Sequence, residues 1–259
     1  MNLLGSLFCS SIGRKILMAV SGLVLIGFVI GHLVGNLQVF QAPDHINGYA
    51  AFLRQLGAGL WIARLVILVA VVIHVWAATV LTLENKRARG AEPYGVNYTI
   101  RATLASRTMR LTGYVVLAFV LYHLAHFTWG AAQSATFKEN LARYSMQHDY
   151  TVAGFITVKQ GAVVEDVYNM VVLGFQNPIV AIFYIVAVGL LSLHLLHGFD
   201  SMFQTLGLRS SRWAGGLRKF CVLFCVVYFL GNLAIPGAVL LGKLQPHPAQ
   251  AVAVHTAQR

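Results

Sequence analysis

The chain has 259 residues, of which 58% are hydrophobic and only 10% charged, where a soluble domain normally carries about a quarter charged residues. That balance excludes an ordinary soluble enzyme and indicates a membrane protein, of a length that suits one compact bundle. The net charge of +11, from 19 Lys and Arg against 8 Asp and Glu, points in such a chain to cytoplasmic loops and not to a nucleic-acid partner.

Five charge-free windows are each long enough to cross ~30 Å of hydrocarbon, which takes roughly 20 apolar residues. The first follows Arg14 and Lys15 and reads "ILMAVSGLVLIGFVIGHLVGN". The second lies between Arg64 and Glu84, the third between Arg110 and Lys138, the fourth between Pro178 and Asp200, and the fifth between Lys219 and Lys243. The spans are expected over residues 16–38, 62–83, 111–132, 178–199 and 220–242. Residues 1–242 then form one all-α membrane domain, a five-helix bundle. No small-residue cleavage site follows the first run, so no signal peptide is expected. The outer segment 133–177 is too polar to span, and its part "VYNMVVLGFQNP" is amphipathic enough to lie on the bundle's outer face. The tail 243–259 reads as polar and mobile. No internal repeat or low-complexity tract stands out.

Loop charge sets the orientation. Twelve basic residues share one side if the spans alternate: Arg14, Lys15, Lys86, Arg87, Arg89, Arg101, Arg107, Arg110, Arg209, Arg212, Arg218 and Lys219. The other side has few, mixed with Glu139, Asp149, Glu165 and Asp166. The N-terminus is therefore expected in the cytoplasm and the C-terminus outside.

Cys9, Cys221 and Cys225 form no C-x-x-C or C-x-x-C-H motif, so disulfide framework, structural zinc and covalent c-type haem lack support. The histidines are more informative. His45, His148, His247 and His255 fall in loops or the tail. Six lie within spans: His32 in the first, His74 in the second, His123 and His126 in the third, His194 and His197 in the fourth. An ionisable group inside a membrane is costly and marks a functional site by default. The plainer role for one of them is a hydrogen bond to a neighbouring helix. Histidine on four separate helices points instead to haem iron, because two haems with two axial imidazoles each need four ligands.

Depth sorts the pairs. At ~1.5 Å per residue from each cytoplasmic edge, His194 lies roughly 9 Å deep, His74 roughly 18 Å, His123 roughly 20 Å and His32 roughly 25 Å. This suggests an inner pair His74/His194 and an outer pair His32/His123, although depth alone does not separate His74 from His123. Gly27, Gly31 and Gly35 share one face of the first span, suited to close approach by a helix or a flat macrocycle.

The stretches "SIGRKILMAVSGLVLIGFVIGHLVGN", "VIHVWAATV", "RLTGYVVLAFVLYHLAHFTWG" and "NMVVLGFQNPIVAIFYIVAVGLLSLHLLHGFDSMFQTLG" carry a resemblance over about residues 11–242. The chain resembles the dihaem cytochrome b membrane anchor of succinate dehydrogenases and fumarate reductases (the succinate:quinone oxidoreductases, respiratory complex II, of the tricarboxylic acid cycle). The resemblance implies that His32, His74, His123 and His194 are the haem axial ligands. In the third helix the family's ligand sits eleven residues after the Thr of a Thr-Gly pair, which is His123 here. In the fourth it precedes a glycine by four, which is His194. The resemblance pairs helix one with three and helix two with four, as depth suggested. His197 and His126 remain the second choices as ligand in their helices, and depth also allows His126; otherwise His197 falls to a propionate or the pocket lining, and His126 to a quinone site or a proton path. Arg54, in "AAFLRQLG", is a candidate for a quinone carbonyl or a propionate, beside the plainer role of an interfacial arginine. Some fumarate-reducing relatives carry a glutamate two residues before the fourth-helix ligand; Ser192 stands there, so that proton route is not assigned.

The resemblance further implies two haems b, a quinone substrate expected to be menaquinone, and FAD and iron–sulfur clusters held only by partner subunits. The partners would be the iron–sulfur subunit, docked on the basic face, and the flavoprotein subunit, in a bacterial cytoplasmic membrane. Electrons would pass between the iron–sulfur subunit and the quinone, and the chain alone would not oxidise succinate. Alternatives are the dihaem anchor of another respiratory dehydrogenase, a haem-free transporter with a histidine proton relay, and a structural anchor without cofactor.

Overall fold

The computed structural model describes residues 3–90 and 103–248. Arg101, His255 and the tail beyond Pro248 lie outside the described residues. Among those described there are eight α-helices: α1 (Leu3–Cys9), α2 (Ser11–Asn36), α3 (Pro43–Gln55), α4 (Ala58–Arg89), α5 (Leu104–Phe127), α6 (Val167–Gln176), α7 (Pro178–Thr205) and α8 (Ala214–Leu240). Helices α2, α4, α5, α7 and α8 are long and apolar enough to cross a membrane.

These helices overrun the expected spans at their charged ends. Helix α4 continues through Lys86 and Arg87 to Arg89, with those cations in its last turn, where they oppose the negative end of the helix dipole. Helix α5 begins at Leu104, so Arg107 and Arg110 are helical, and it stops at Phe127; residues 128–132, expected in the third span, are not helix. Pro178 opens α7, a position where its missing N–H costs nothing, and Asn177 Oδ1 accepts from the Ile179 N–H at 3.0 Å.

The all-α expectation needs one addition. Strand β1 (Tyr144–Ser145) pairs antiparallel with β4 (Val163–Val164), and β2 (Tyr150–Val152) with β3 (Phe155–Val158). Two residues join β2 to β3, Ala153 at φ 51° and Gly154 at φ 84°. Positive φ at both central positions is what a tight primed hairpin turn requires.

The chain divides into two compact units. The first comprises Met1–Gly31, Trp61–Gly113 and Leu190–Tyr228; the second comprises His32–Leu60, Tyr114–Gly189 and Phe229–Arg259. In the first, Arg14 pairs with Glu84, and Asp200 accepts ion pairs from Arg209 at 3.3 Å and Arg218 at 3.9 Å. Cys221 and Cys225 are buried as free thiols.

In the second unit the short strands build a small core of Tyr144, Met146 and Val158. Helix α3 was not foreseen. Its buried Asp44 accepts from Tyr144 Oη at 3.0 Å, from the Gln147 N–H at 2.7 Å and from His148 Nδ1 at 2.9 Å. A Cβ on Gly35 would stand 2.5 Å from the Tyr49 ring, so α2 and α3 approach closely there. The amphipathic stretch forms α6, whose Tyr168, Asn169, Met170, Val172 and Phe175 are buried; it packs against α3. Asp166 caps α6 by accepting from the Asn169 N–H at 3.0 Å.

The expectation of a mobile tail also needs correction as far as Pro248. Asn169 Nδ2 donates to the His247 carbonyl at 3.0 Å, and the His247 N–H donates back to Asn169 Oδ1 at 3.0 Å. His247 Nε2 lies 3.1 Å from Asp166 Oδ2. A two-way amide bond plus a buried carboxylate pins the start of the tail to α6.

Candidate functional site

The structure brings four of the six span histidines together in two pairs, one in each unit. In the first unit the ring centres of His74, on α4, and His194, on α7, are 6.3 Å apart with planes at 65°. In the second, His32 on α2 and His123 on α5 have ring centres 5.6 Å apart with planes at 88°.

These distances test a bis-histidine metal site. With about 2.1 Å per metal–nitrogen bond, two imidazoles on opposite faces of one metal have ring centres about 6.4 Å apart. The His74/His194 spacing fits, and the His32/His123 spacing falls within about 1 Å of it, a difference that small side-chain rotations cover. Ring planes that share the nitrogen–metal–nitrogen axis are free to take any dihedral, so neither plane angle opposes the fit. His123 Nδ1 is buried without a hydrogen-bond partner among the described residues, a costly state for a polar atom and one expected of a ring held for a group that the chain does not itself supply.

At the His74/His194 pair the outer nitrogens are committed. His74 Nδ1 lies 3.2 Å from the Met18 carbonyl and 3.3 Å from Ser21 Oγ. A carbonyl only accepts, so Nδ1 carries the proton and the lone pair sits on Nε2. His194 Nδ1 lies 3.3 Å from Thr112 Oγ1, with the Met109 backbone as a further partner. Fixing one ring nitrogen by a hydrogen bond is how metal-ligating histidines are oriented and their tautomer set.

The chain matches no protein-family model, no curated protein and no solved structure. The site's reading therefore rests on its own chemistry.

The remaining candidates separate clearly. His126 is 2% exposed and uses both nitrogens: Nδ1 lies 2.9 Å from Tyr184 Oη, and Nε2 lies 3.0 Å from Gln133 Oε1. The ring also stacks on Phe127 at 3.8 Å. The amide oxygen accepts from Nε2–H and the tyrosine donates to Nδ1, which leaves no nitrogen for a metal or a quinone oxygen. His197 is partly buried on α7, within electrostatic reach of Asp200 and Arg218. Arg54, in the last turn of α3, pairs with Glu165. Lys138 joins the same carboxylate at 3.0 Å and Arg143 at 4.0 Å. Burial alone would raise the Glu165 carboxyl, but Lys138 and Arg54 outweigh it and hold it below its ordinary value.

Of the three glycines on one face of α2, only Gly35 has a packing neighbour within 4 Å of an added Cβ; Gly27 and Gly31 have none. Sequence reasoning missed Ser21, Tyr184 and Gln133 and treated Thr112 as a landmark only. A hydroxyl residue followed by glycine, present in both "VSG" and "LTG", was the signal for Ser21 and Thr112.

Proposed function

We propose that this chain is the membrane-anchor cytochrome b subunit of a succinate:quinone oxidoreductase, carrying electrons between an iron–sulfur subunit and a membrane quinone. The observation that carries this reading is the pair of bis-histidine arrangements, each drawing one imidazole from each of two apolar helices. His74 and His194 would hold one haem b, and His32 and His123 the other. Bound there, haem supplies one-electron carriage within an apolar span.

The chain's own residues orient and insulate. Ser21, Met18, Thr112 and Met109 fix the rings of the first pair. The apolar faces of α2, α4, α5 and α7 exclude water, which lets axial ligation and hydrogen bonds to the ligating rings set the redox behaviour. The basic ends of α4 and α8, with Lys86, Arg87, Arg89, Arg218 and Lys219, form the cytoplasmic docking face for the iron–sulfur subunit, with the N-terminus on that side and the C-terminus outside. FAD and the iron–sulfur clusters belong to the partner subunits, menaquinone is the expected quinone, and the membrane is a bacterial cytoplasmic membrane. Arg54 is assigned to the ion-pair cluster on Glu165 and not to a quinone.

The test is to purify the chain with its partners from native membranes and add succinate anaerobically. The reading requires a flavoprotein and an iron–sulfur subunit in the complex, and b-type absorbance bands that succinate reduces. Bands that hydrogen or formate reduces and succinate does not would move the chain to the anchor of another dehydrogenase. Absence of b-type bands from the intact complex would leave the proton relay or the bare anchor.

A further inference from the structure

The two seats of the His74/His194 pair are alike atom by atom. Ser21 donates its hydroxyl hydrogen within α2, to the carbonyls of Leu17 at 2.7 Å and Met18 at 3.1 Å. Its oxygen is then left to accept from His74 Nδ1. Thr112 does the same within α5, with the carbonyls of Thr108 and Met109 both at 3.1 Å, and faces His194 Nδ1. A glycine follows each hydroxyl. A Cβ on Gly22 would stand 3.4 Å from His74 Cε1, and one on Gly113 would stand 3.4 Å from His194 Cε1, so each imidazole lies against bare backbone.

The likeness extends along both helices. "MAVSGLVLIGFVIGHL" (18–33) and "MRLTGYVVLAFVLYHL" (109–124) align without a gap, with seven of sixteen positions identical, Met18/Met109, Gly22/Gly113, Phe28/Phe119 and His32/His123 among them. The expectation of no internal repeat is thereby corrected. Each copy carries a hydroxyl–glycine seat and, ten residues after the glycine, a histidine of the other pair. The next long apolar helix after each, α4 or α7, brings the histidine seated on it.

We propose that Ser21 and Thr112 are equivalent positioning residues of one haem site, the His74/His194 site, and that they tune it without touching the site of His32 and His123. This rests on the proposed anchor function. A hydrogen bond from Nδ1–H to an oxygen raises the basicity of a ligating imidazole and so favours ferric iron. Losing the hydroxyl leaves only the Met18 or Met109 backbone as acceptor, weakens that bond and raises the midpoint potential. A back-bonding hydroxyl by itself does nothing of the kind: Thr79 on α4 donates to the Val75 carbonyl at 2.7 Å and faces no histidine.

The experiment is a redox titration of the haem bands of the whole complex, with haem content measured on the same samples. Ser21→Ala and Thr112→Ala are expected to raise the midpoint potential of the same one of the two b haems and leave the other unmoved. Ser21→Thr and Thr112→Ser keep the hydroxyl and are expected to restore the wild-type value, and Thr79→Ala to change nothing. A haem lost from either alanine variant and regained in its hydroxyl-keeping partner counts equally for the proposal. Two haems that do not move, that move together, or that move one in each variant would overturn it while leaving the anchor reading intact. A wild-type complex without haem would overturn both.

Discussion

What separates six intramembrane histidines is the state of their ring nitrogens. His126 is committed on both sides, to Tyr184 and Gln133, and His197 stands within electrostatic reach of Asp200, Arg218 and its helix neighbour His194. His194→Ala is therefore expected to reduce the complex from two haems to one, and His197→Ala to keep two; haem per polypeptide checks both. His126→Ala is expected to keep both haems and to destabilise the fold by about 1–3 kcal/mol, the cost of leaving buried polar partners unsatisfied; a thermal melt in detergent reads it. The sequence carried the six positions and, through depth, a suggestion of their grouping that left His74 and His123 unseparated. It did not carry the fate of His126, because that depends on a tyrosine from α7 and a glutamine from an irregular segment, neither of which has a fixed spacing from it.

At the scale of elements, the centres of the five long helices were legible from uninterrupted apolar runs, and their ends were not. Lysine and arginine are good helix formers whose stems lie along apolar surface, so α4 and α5 run on through charges that a hydropathy window treats as loop. Helix α3 and the two small sheets escaped notice because their cores are polar or assembled from distant segments, as at Asp44 and Tyr144. Gly35→Val is expected to force the Tyr49 ring aside at a cost of about 1–3 kcal/mol, whereas Gly27→Ala, with nothing in its path, should leave the melting temperature unchanged. Asp166→Ala removes the α6 cap and the carboxylate beside His247, with an expected loss of about 1–2 kcal/mol. Faster proteolytic release of the tail would report it. The ion-pair cluster that ties α3 to the segment before α6 adds a pH dependence with a definite sign. Burial opposes ionisation of Glu165, but Lys138 and Arg54 hold it below its ordinary value of 4.5. A depressed carboxyl stabilises the folded state fully above its unfolded value and loses that contribution as pH falls through the folded one. The melting temperature of the wild-type complex should thus fall below pH 4.5 more steeply than that of Glu165→Gln, which starts lower. Because Arg54 and Arg143 are well exposed, the difference at neutral pH should be modest, about 1 kcal/mol.

For the molecule as a whole, the 58% hydrophobic and 10% charged composition and five charge-free apolar windows indicated a multi-pass membrane protein before any geometry. The internal repeat was hidden because its two copies differ at nine of sixteen positions and are both apolar helix, so the shared seat residues and histidine do not stand out. The central claim is that this chain holds two haems between paired histidines. The most direct measurement is the amount of haem b per polypeptide, by pyridine haemochrome assay on the complex purified from native membranes. The account predicts two; an intact, folded complex with none would contradict it.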